Sequence, residues 1–236
     1  MKTSNMRYVV SDIHGEYGLF NRLMEKIKFS ATDKLYVCGD VVDKGRDSIR
    51  LLKQIFSMPN AVCILGNHEY AFLKYYWALM KSSPDDFDAV LKKLQNYFVY
   101  PDNQLLDWPT VDRLESLPTY YECDDFICVH AGLPVDGNSH ILPPQSVPTE
   151  FLVNDRTFKN PNVLPLGAKC VFFGHTPVRF INDCDKIIAY KRVGRADGSI
   201  GDYCKIHLDT GVYLSGVLGC FCVDNCNEYY VTSKEK

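Results

Sequence analysis

Short runs of apolar residues, each ended at once by a polar turn, recur through most of the chain. Tyr8-Val9-Val10 leads into SDIHG, Leu35-Tyr36-Val37-Cys38 into GDVVDKG, and Val62-Cys63-Ile64-Leu65 into GNHE. Phe126-Ile127-Cys128-Val129 leads into HAGL and Val171-Phe172-Phe173 into GHTP. Short β-branched and aromatic runs bounded by glycine predict buried strands. Between them the apolar spacing becomes helical: Leu19, Phe20, Leu23, Met24 and Ile27, then Ile49, Leu52, Ile55 and Phe56, then Ala71, Phe72, Tyr75, Tyr76 and Leu79. Asp47 or Ser48 is the expected N-cap of the second helix, and Tyr75, Tyr76 and Trp77 are read as packing of the third. Ser83-Pro84-Asp85-Asp86 reads as a helix start. It would open a helix over residues 84–100, within a helical segment 81–120 beside the site. From 181 to 236, strand-like runs at 186–190, 203–208, 217–223 and 229–232 predict mostly antiparallel strands completing a second sheet. No repeat or flexible linker divides the sequence, so 1–236 is read as a single α/β domain. Its ligand-bearing loops would lie at the carboxyl ends of the early strands, the usual place for an α/β active site.

Composition narrows the class. Hydrophobic residues make up 46% and charged residues 23%, with a net charge of −3 over 236 residues. That is the profile of a globular protein without a global field for nucleic acid or an anionic membrane, so any attraction for an anionic substrate must be local. No stretch approaches the ~18 apolar residues of a membrane span, and the N-terminus runs straight into a strand, so the expected location is cytoplasmic. Ten cysteines are present. Cys38, Cys63, Cys128 and Cys170 sit inside apolar runs, where a free thiol acts as a small hydrophobe. Cys220, Cys222 and Cys226 lack a second paired cluster, and the first two fit one face of a strand rather than a zinc site.

Chemistry enters through the turns. Four of the six histidines, His14, His68, His130 and His175, fall directly after an apolar run, and Asp12, Asp40, Asp43 and Asn67 share the same turns. Carboxylate, imidazole and amide oxygen without thiolate suit Mn, Fe, Zn or Mg. This many donors suits two ions. With Asp12 and Asp40 as the anionic ligands, two divalent cations leave a surplus of about two positive charges. That surplus would hold a phosphate and lower the pKa of a bridging water for in-line attack. His140, in a Gly/Asn/Ser/Pro loop, is read as exposed, and His207, in a strand-like run, as hydrogen-bonded structure. Lys191, Arg192 and Arg195 are read as a solvated basic face.

Taken together, SDIHG, GDVVDKG, GNHE, VHAGL and FFGHTP resemble the phosphoprotein phosphatase (PPP) family of metallophosphoesterases in its small bacterial form. The likeness runs from about Tyr8 to the LDTGVYLSG segment near residue 215. The resemblance implies a calcineurin-like two-sheet β-sandwich flanked by helices, with a dinuclear site at the strand ends. It implies that Asp12, His14 and Asp40 hold a first metal and that Asp40 bridges to a second held by Asn67, His130 and His175. His68 would be the general acid, with Asp43 as its carboxylate partner. Arg156 would clamp the phosphate. Two departures stand out. Ser11 replaces the usual glycine, and Lys44 stands where the family has a second phosphate-binding arginine. Lysine supplies charge but not the fork contact, and Arg46 is the candidate to supply it. The expected activity is hydrolysis of phosphoserine or phosphothreonine with two divalent ions, manganese first among them. The substrates would be phosphorylated proteins, peptides or small phosphate esters, with no nucleic-acid or membrane partner. GNHE and Asp43 favour this branch over the symmetrical dinucleoside tetraphosphate hydrolases, the alternative reading. An inactive phosphate-binding scaffold would have lost a ligand or the acid, and none is missing.

Overall fold

The computed structural model describes residues 5–97 and 107–234. The chain begins β1 (Arg7–Val10), α1 (Tyr17–Lys26), β2 (Lys34–Val37), α2 (Ser48–Ser57), β3 (Ala61–Cys63) and α3 (Asn67–Met80). Two further helices, α4 (Phe87–Tyr97) and α5 (Trp108–Glu115), precede β4 (Tyr120–Glu122) and β5 (Phe126–Val129). Then come α6 (Thr149–Asn154), β6 (Cys170–Phe173), α7 (Arg179–Asn182), β7 (Ile188–Lys191), β8 (Tyr203–His207), α8 (Val212–Ser215), β9 (Val217–Cys222) and β10 (Glu228–Thr232).

The strands form two five-stranded sheets, ordered β10-β9-β1-β2-β3 and β4-β5-β6-β8-β7. Alternate residues of each strand point to opposite faces, and both faces are covered. Tyr8 and Val10 join the core under the helices, whereas Val9 joins the core between the sheets with Tyr36, Cys38, Phe126, Cys128 and Phe172. Ile127, Val129, Val171 and Phe173 face outward onto Leu133, Leu152 and Phe158. Burial on both faces explains why these strands read as unbroken apolar runs. The α/β sandwich expected from the sequence is therefore the observed architecture.

Two expectations are corrected. The late strands do not all complete the second sheet. β7 and β8 do, with β8 parallel to β6, but β9 pairs antiparallel with β1 and β10 with β9. β1 is wholly apolar beyond Arg7 and bonds β2 on one side only, so its other edge needs a partner that is apolar on both faces. β9 meets that need, with Cys220 and Cys222 in the helix-side core and Phe221 in the inter-sheet core. The fourth helix starts at Phe87, not Pro84, because Ser83 first closes a turn, its carbonyl accepting from the Asp86 and Phe87 amides. Residues 98–106, the end of the expected 84–100 helix and part of the 81–120 segment, lie outside the described residues.

Several side-chain expectations hold. Tyr76 is buried and Trp77 packs at the edge of the same core. Cys38, Cys63, Cys128 and Cys170 are buried free thiols. His207 donates its Nε2 proton to the Thr176 carbonyl at 2.6 Å and stacks on Phe173. His140 is exposed. Arg192 of the basic cluster instead donates to the Lys169 and Pro165 carbonyls.

Candidate metal centre

Parallel strands β1, β2 and β3, and β5 and β6 opposite, end at one edge, and the loops leaving them are laced together. The Asp12 amide donates to the Gly39 carbonyl, His14 to Asp40 and Gly174 to His130. Six residues of these loops, Asp12, His14, Asp40, Asp43, Lys44 and His175, carry positive φ between 48° and 72°. Side chains other than glycine enter that region at a cost of about 1–3 kcal/mol each, and such strain gathers at functional sites. Two glycines are required by close approach. A Cβ on Gly66 would fall 2.2 Å from Asp40 Oδ1, and one on Gly174 would fall 1.9 Å from Asp12 Oδ2.

Asp40 is the hub. Its Oδ1 accepts from the His68 amide at 3.0 Å. Its Oδ2 stands 3.4 Å from His130 Nε2 and 3.8 Å from both His14 Nε2 and His68 Nε2. Two donor groups share it: His14–Asp40–His68 and Asp40–His130–His175. Burial opposes ionisation of Asp40, but His130, His68 and His14 outweigh it and hold the carboxyl well below its usual range.

Carbonyls fix the tautomers, because a carbonyl can only accept. His14 Nδ1 donates to Val42 O at 3.1 Å and His130 Nδ1 to Cys38 O at 2.8 Å, so each ring turns Nε2 toward the cluster. Burial pushes His14 down to about 4. Burial, then the His130 charge, pushes His175 down to about 3. Both are neutral lone-pair donors near pH 7. His130 is raised to about 10, with Asp40 overcoming burial. Asn67 Oδ1 stands 2.9 Å from His130 Nε2 and 2.8 Å from His175 Nδ1. Ligands at right angles around an ion with bonds of ~2.1 Å sit ~3.0 Å apart. The donor chemistry and this spacing fit a divalent cation, and carbonyls that hold the far nitrogen of the His14 and His130 imidazoles keep the near nitrogen aimed at the ion.

Other expected residues are placed less uniformly. Both oxygens of Asp12 accept from the His175 amide, at 3.1 and 3.0 Å, so Asp12 stands beside the two groups and not within either. Burial raises its pKa to about 7. His68 donates Nδ1–H to Asp43 Oδ2 at 2.6 Å. Burial opposes its charge, yet Asp40 and Asp43 prevail and its pKa is raised. Lys44 Nζ lies 3.9 Å above the Tyr213 ring. Arg156 donates to Thr176 Oγ1 at 3.3 Å, next to His175. Arg46 is exposed and forms no hydrogen bond or ion pair to the cluster among the described residues.

Reasoning from sequence missed three residues. Tyr213 sets its ring edge against His14 at 5.6 Å, and only its place in LDTGVYLSG pointed to it. Lys205, fully buried on β8, donates Nζ–H to the Phe158 and Asn160 carbonyls. An isolated lysine inside a strand carries no pattern that announces such a role. Glu69 is the third. Fully buried, it accepts from the Asp40, Val41, Val42 and Gly66 amides at 2.8–3.0 Å. A glutamate three residues after the Gly66 cap is a capping-box position, the signal that could have found it. Glu69→Gln presents an NH2 to two of these donors and should cost roughly 2–4 kcal/mol, read as a lowered urea midpoint. An unchanged midpoint would remove the carboxylate from the scaffold of the Asp40 loop.

The chain belongs to the calcineurin-like phosphoesterase family, whose pattern matches residues 7–186. It is 30% identical over 131 residues to the symmetrical bis(5'-nucleosyl)-tetraphosphatase of Aggregatibacter actinomycetemcomitans, covering 55% of this chain and 45% of that protein. It is 28% identical over 189 residues to the enzyme of the same name from Coxiella burnetii (strain RSA 331 / Henzerling II), covering 78% and 59%. The chain thus spans about half the length of the curated relatives it matches. The fold resembles that of a metallophosphoesterase from Sphaerobacter thermophilus, with a TM-score of 0.64 at 14% identity over 99% of this chain and 90% of the other. Among the described residues no helix is long and apolar enough to cross a membrane.

Proposed function

We propose that this protein hydrolyses a phosphate ester at a two-cation centre shared by Asp40, and that its substrate is a dinucleoside polyphosphate. The single observation that carries the centre is the Asp40 carboxylate facing His14, His68 and His130 at 3.4–3.8 Å. Asp12, His14 and Asp40 would hold one ion, and Asp40, Asn67, His130 and His175 the other. Manganese suits this mix of carboxylate, imidazole and amide oxygen. When bound, the cations would neutralise phosphoryl oxygens and lower the pKa of a coordinated water. Arg156 binds the phosphate by its fork, with Lys44 adding charge. His68, whose charged form Asp40 and Asp43 favour, gives its Nε2 proton to the leaving oxygen. The described residues act as one metallophosphoesterase unit, a reading supported by the return of β9 and β10 to the first sheet. The substrate reading is supported by the names of the relatives.

A second reading, hydrolysis of phosphoserine or phosphothreonine, is favoured by the 2.6 Å His68–Asp43 pair. An alkoxide is a far poorer leaving group than a nucleoside diphosphate and depends more on a well-held acid. The test is kcat/KM of one Mn-reconstituted preparation on diadenosine tetraphosphate and on a phosphothreonine peptide. A preference for the dinucleotide is the expected result, and a preference for the peptide replaces the first reading with the second.

A further inference from the structure

Two clefts open on the surface. The larger, about 750 Å3, runs along α3 past Tyr70, Lys74, Trp77 and Lys81. Two of its polar groups are already committed: Lys74 pairs with Glu150, and the Trp77 indole N–H donates to Glu115. Two carboxylates at these groups disfavour a polyanion.

The second, about 560 Å3, has the opposite character. It is lined by Arg156, Lys159, Pro161, Val163, Phe180 and Ile181 among others. Its walls are two loops of the centre itself. One follows α6 and carries Arg156 and Lys159. The other follows β6, passes through His175 and Thr176, and turns at Pro177 to present Phe180, whose amide bonds the Pro177 carbonyl. Arg156 joins the two by its bond to Thr176, so the cleft opens beside His175. Neither cation pairs with a carboxylate among the described residues. Phe180 is 66% exposed, the most exposed aromatic side chain of the described residues. A large bare ring beside two unpaired cations has no packing role here, and it has the makings of a stacking platform with an anion site at its edge.

The wall is also held in advance. The Asp155 carboxylate accepts from the Thr157 and Phe158 amides. Beneath the loop, buried Lys205 ties down the Phe158 and Asn160 carbonyls at 2.7 and 2.8 Å. A surface ordered before the ligand arrives spends less affinity on ordering.

We propose that this cleft binds the nucleoside diphosphate portion of the substrate, a refinement that rests on the dinucleotide reading above. The attacked phosphoryl lies at the metal centre, and Arg156 spans that group and the next phosphate. Lys159 meets the outer phosphate, and the base stacks on Phe180. Symmetrical cleavage of a dinucleoside tetraphosphate gives two nucleoside diphosphates, so ADP is the product that would occupy the cleft.

The test uses ADP and inorganic phosphate as competing inhibitors of p-nitrophenyl phosphate hydrolysis by the Mn-reconstituted protein. ADP should bind more tightly than phosphate to the wild type. Phe180→Ala should raise the Ki for ADP roughly tenfold relative to that for phosphate, the scale of one base–aromatic stack, and Phe180→Trp should restore it. Because Phe180 is exposed, the thermal midpoint reports whether Phe180→Ala folds normally. The proposal is overturned if ADP has no advantage over phosphate, or if the advantage survives Phe180→Ala. It is also overturned if the substitution lowers kcat/KM on a phosphothreonine peptide with ADP unaffected, which would make the cleft a peptide site. A Phe180-dependent ADP site in a protein that does not cleave diadenosine tetraphosphate would sink the substrate reading and keep the cleft. Cleavage with no such dependence would do the reverse.

Discussion

Replacing His68 with Asn is expected to lower turnover of an alkyl phosphate ester by roughly 10²–10⁴-fold, the range for loss of a positioned acid, while the protein keeps its full metal complement. The loss should be smaller on p-nitrophenyl phosphate, whose leaving group departs without a proton. This experiment has force because the geometry alone allows another role. His68 Nε2 stands 3.8 Å from Asp40 Oδ2, as far as His14 Nε2 does, and His14, Asp40 and His68 form one of the two donor groups. What separates the two rings is the second nitrogen. His14, like His130, gives its Nδ1 proton to a carbonyl, whereas His68 gives its own to the Asp43 carboxylate, which together with Asp40 raises its pKa. A carboxylate behind the ring favours its charged form and suits a proton donor, which a neutral carbonyl does not. If metal analysis of His68→Asn shows an ion lost along with activity, His68 is a ligand and the acid must be sought elsewhere.

Asp40→Asn should have the larger consequence, releasing both cations and abolishing activity at every substrate. Its carboxylate is the only group common to the two donor clusters among the described residues. An amide of the same shape keeps an acceptor for the His68 amide but loses the charge that three imidazoles face. The loop itself should persist, since the amides of Asp40, Val41 and Val42 remain bound to Glu69. Metal content by mass spectrometry and the near-native thermal midpoint of the metal-free protein read these separately. Two retained equivalents would refute the shared role, and one would assign Asp40 to a single cluster.

Much of this was present in the sequence by itself. Each strand-and-turn unit is a local object. An unbroken apolar run is covered on both faces, glycine permits the sharp exit, and a donor residue follows within a few positions. Asp12, His14, Asp40, Asn67, His130 and His175 could therefore all be located as strand-end residues before any contact was known, and the metal-binding class follows from their atoms. The exposed position of His140 and the buried thiols are similarly local consequences of composition.

Tertiary structure decided what depends on partners far apart in the chain. Whether β9 extends the first sheet or the second could not be read from its own residues, because VLGCFC satisfies any position with two apolar faces. The open edge of β1, more than 200 residues earlier, made the choice. The four amides that meet Glu69, the carbonyls that meet Lys205, and the ring of Tyr213 over Lys44 are all contacts that no local period encodes. The same holds for Asp12, whose carboxylate is turned to the amide of His175, 163 positions away. Hydrophobic periodicity reports which face of an element must be buried. Which other element buries it, and which polar atoms then meet at the rim, is set only when the faces and edges of the whole chain are satisfied together.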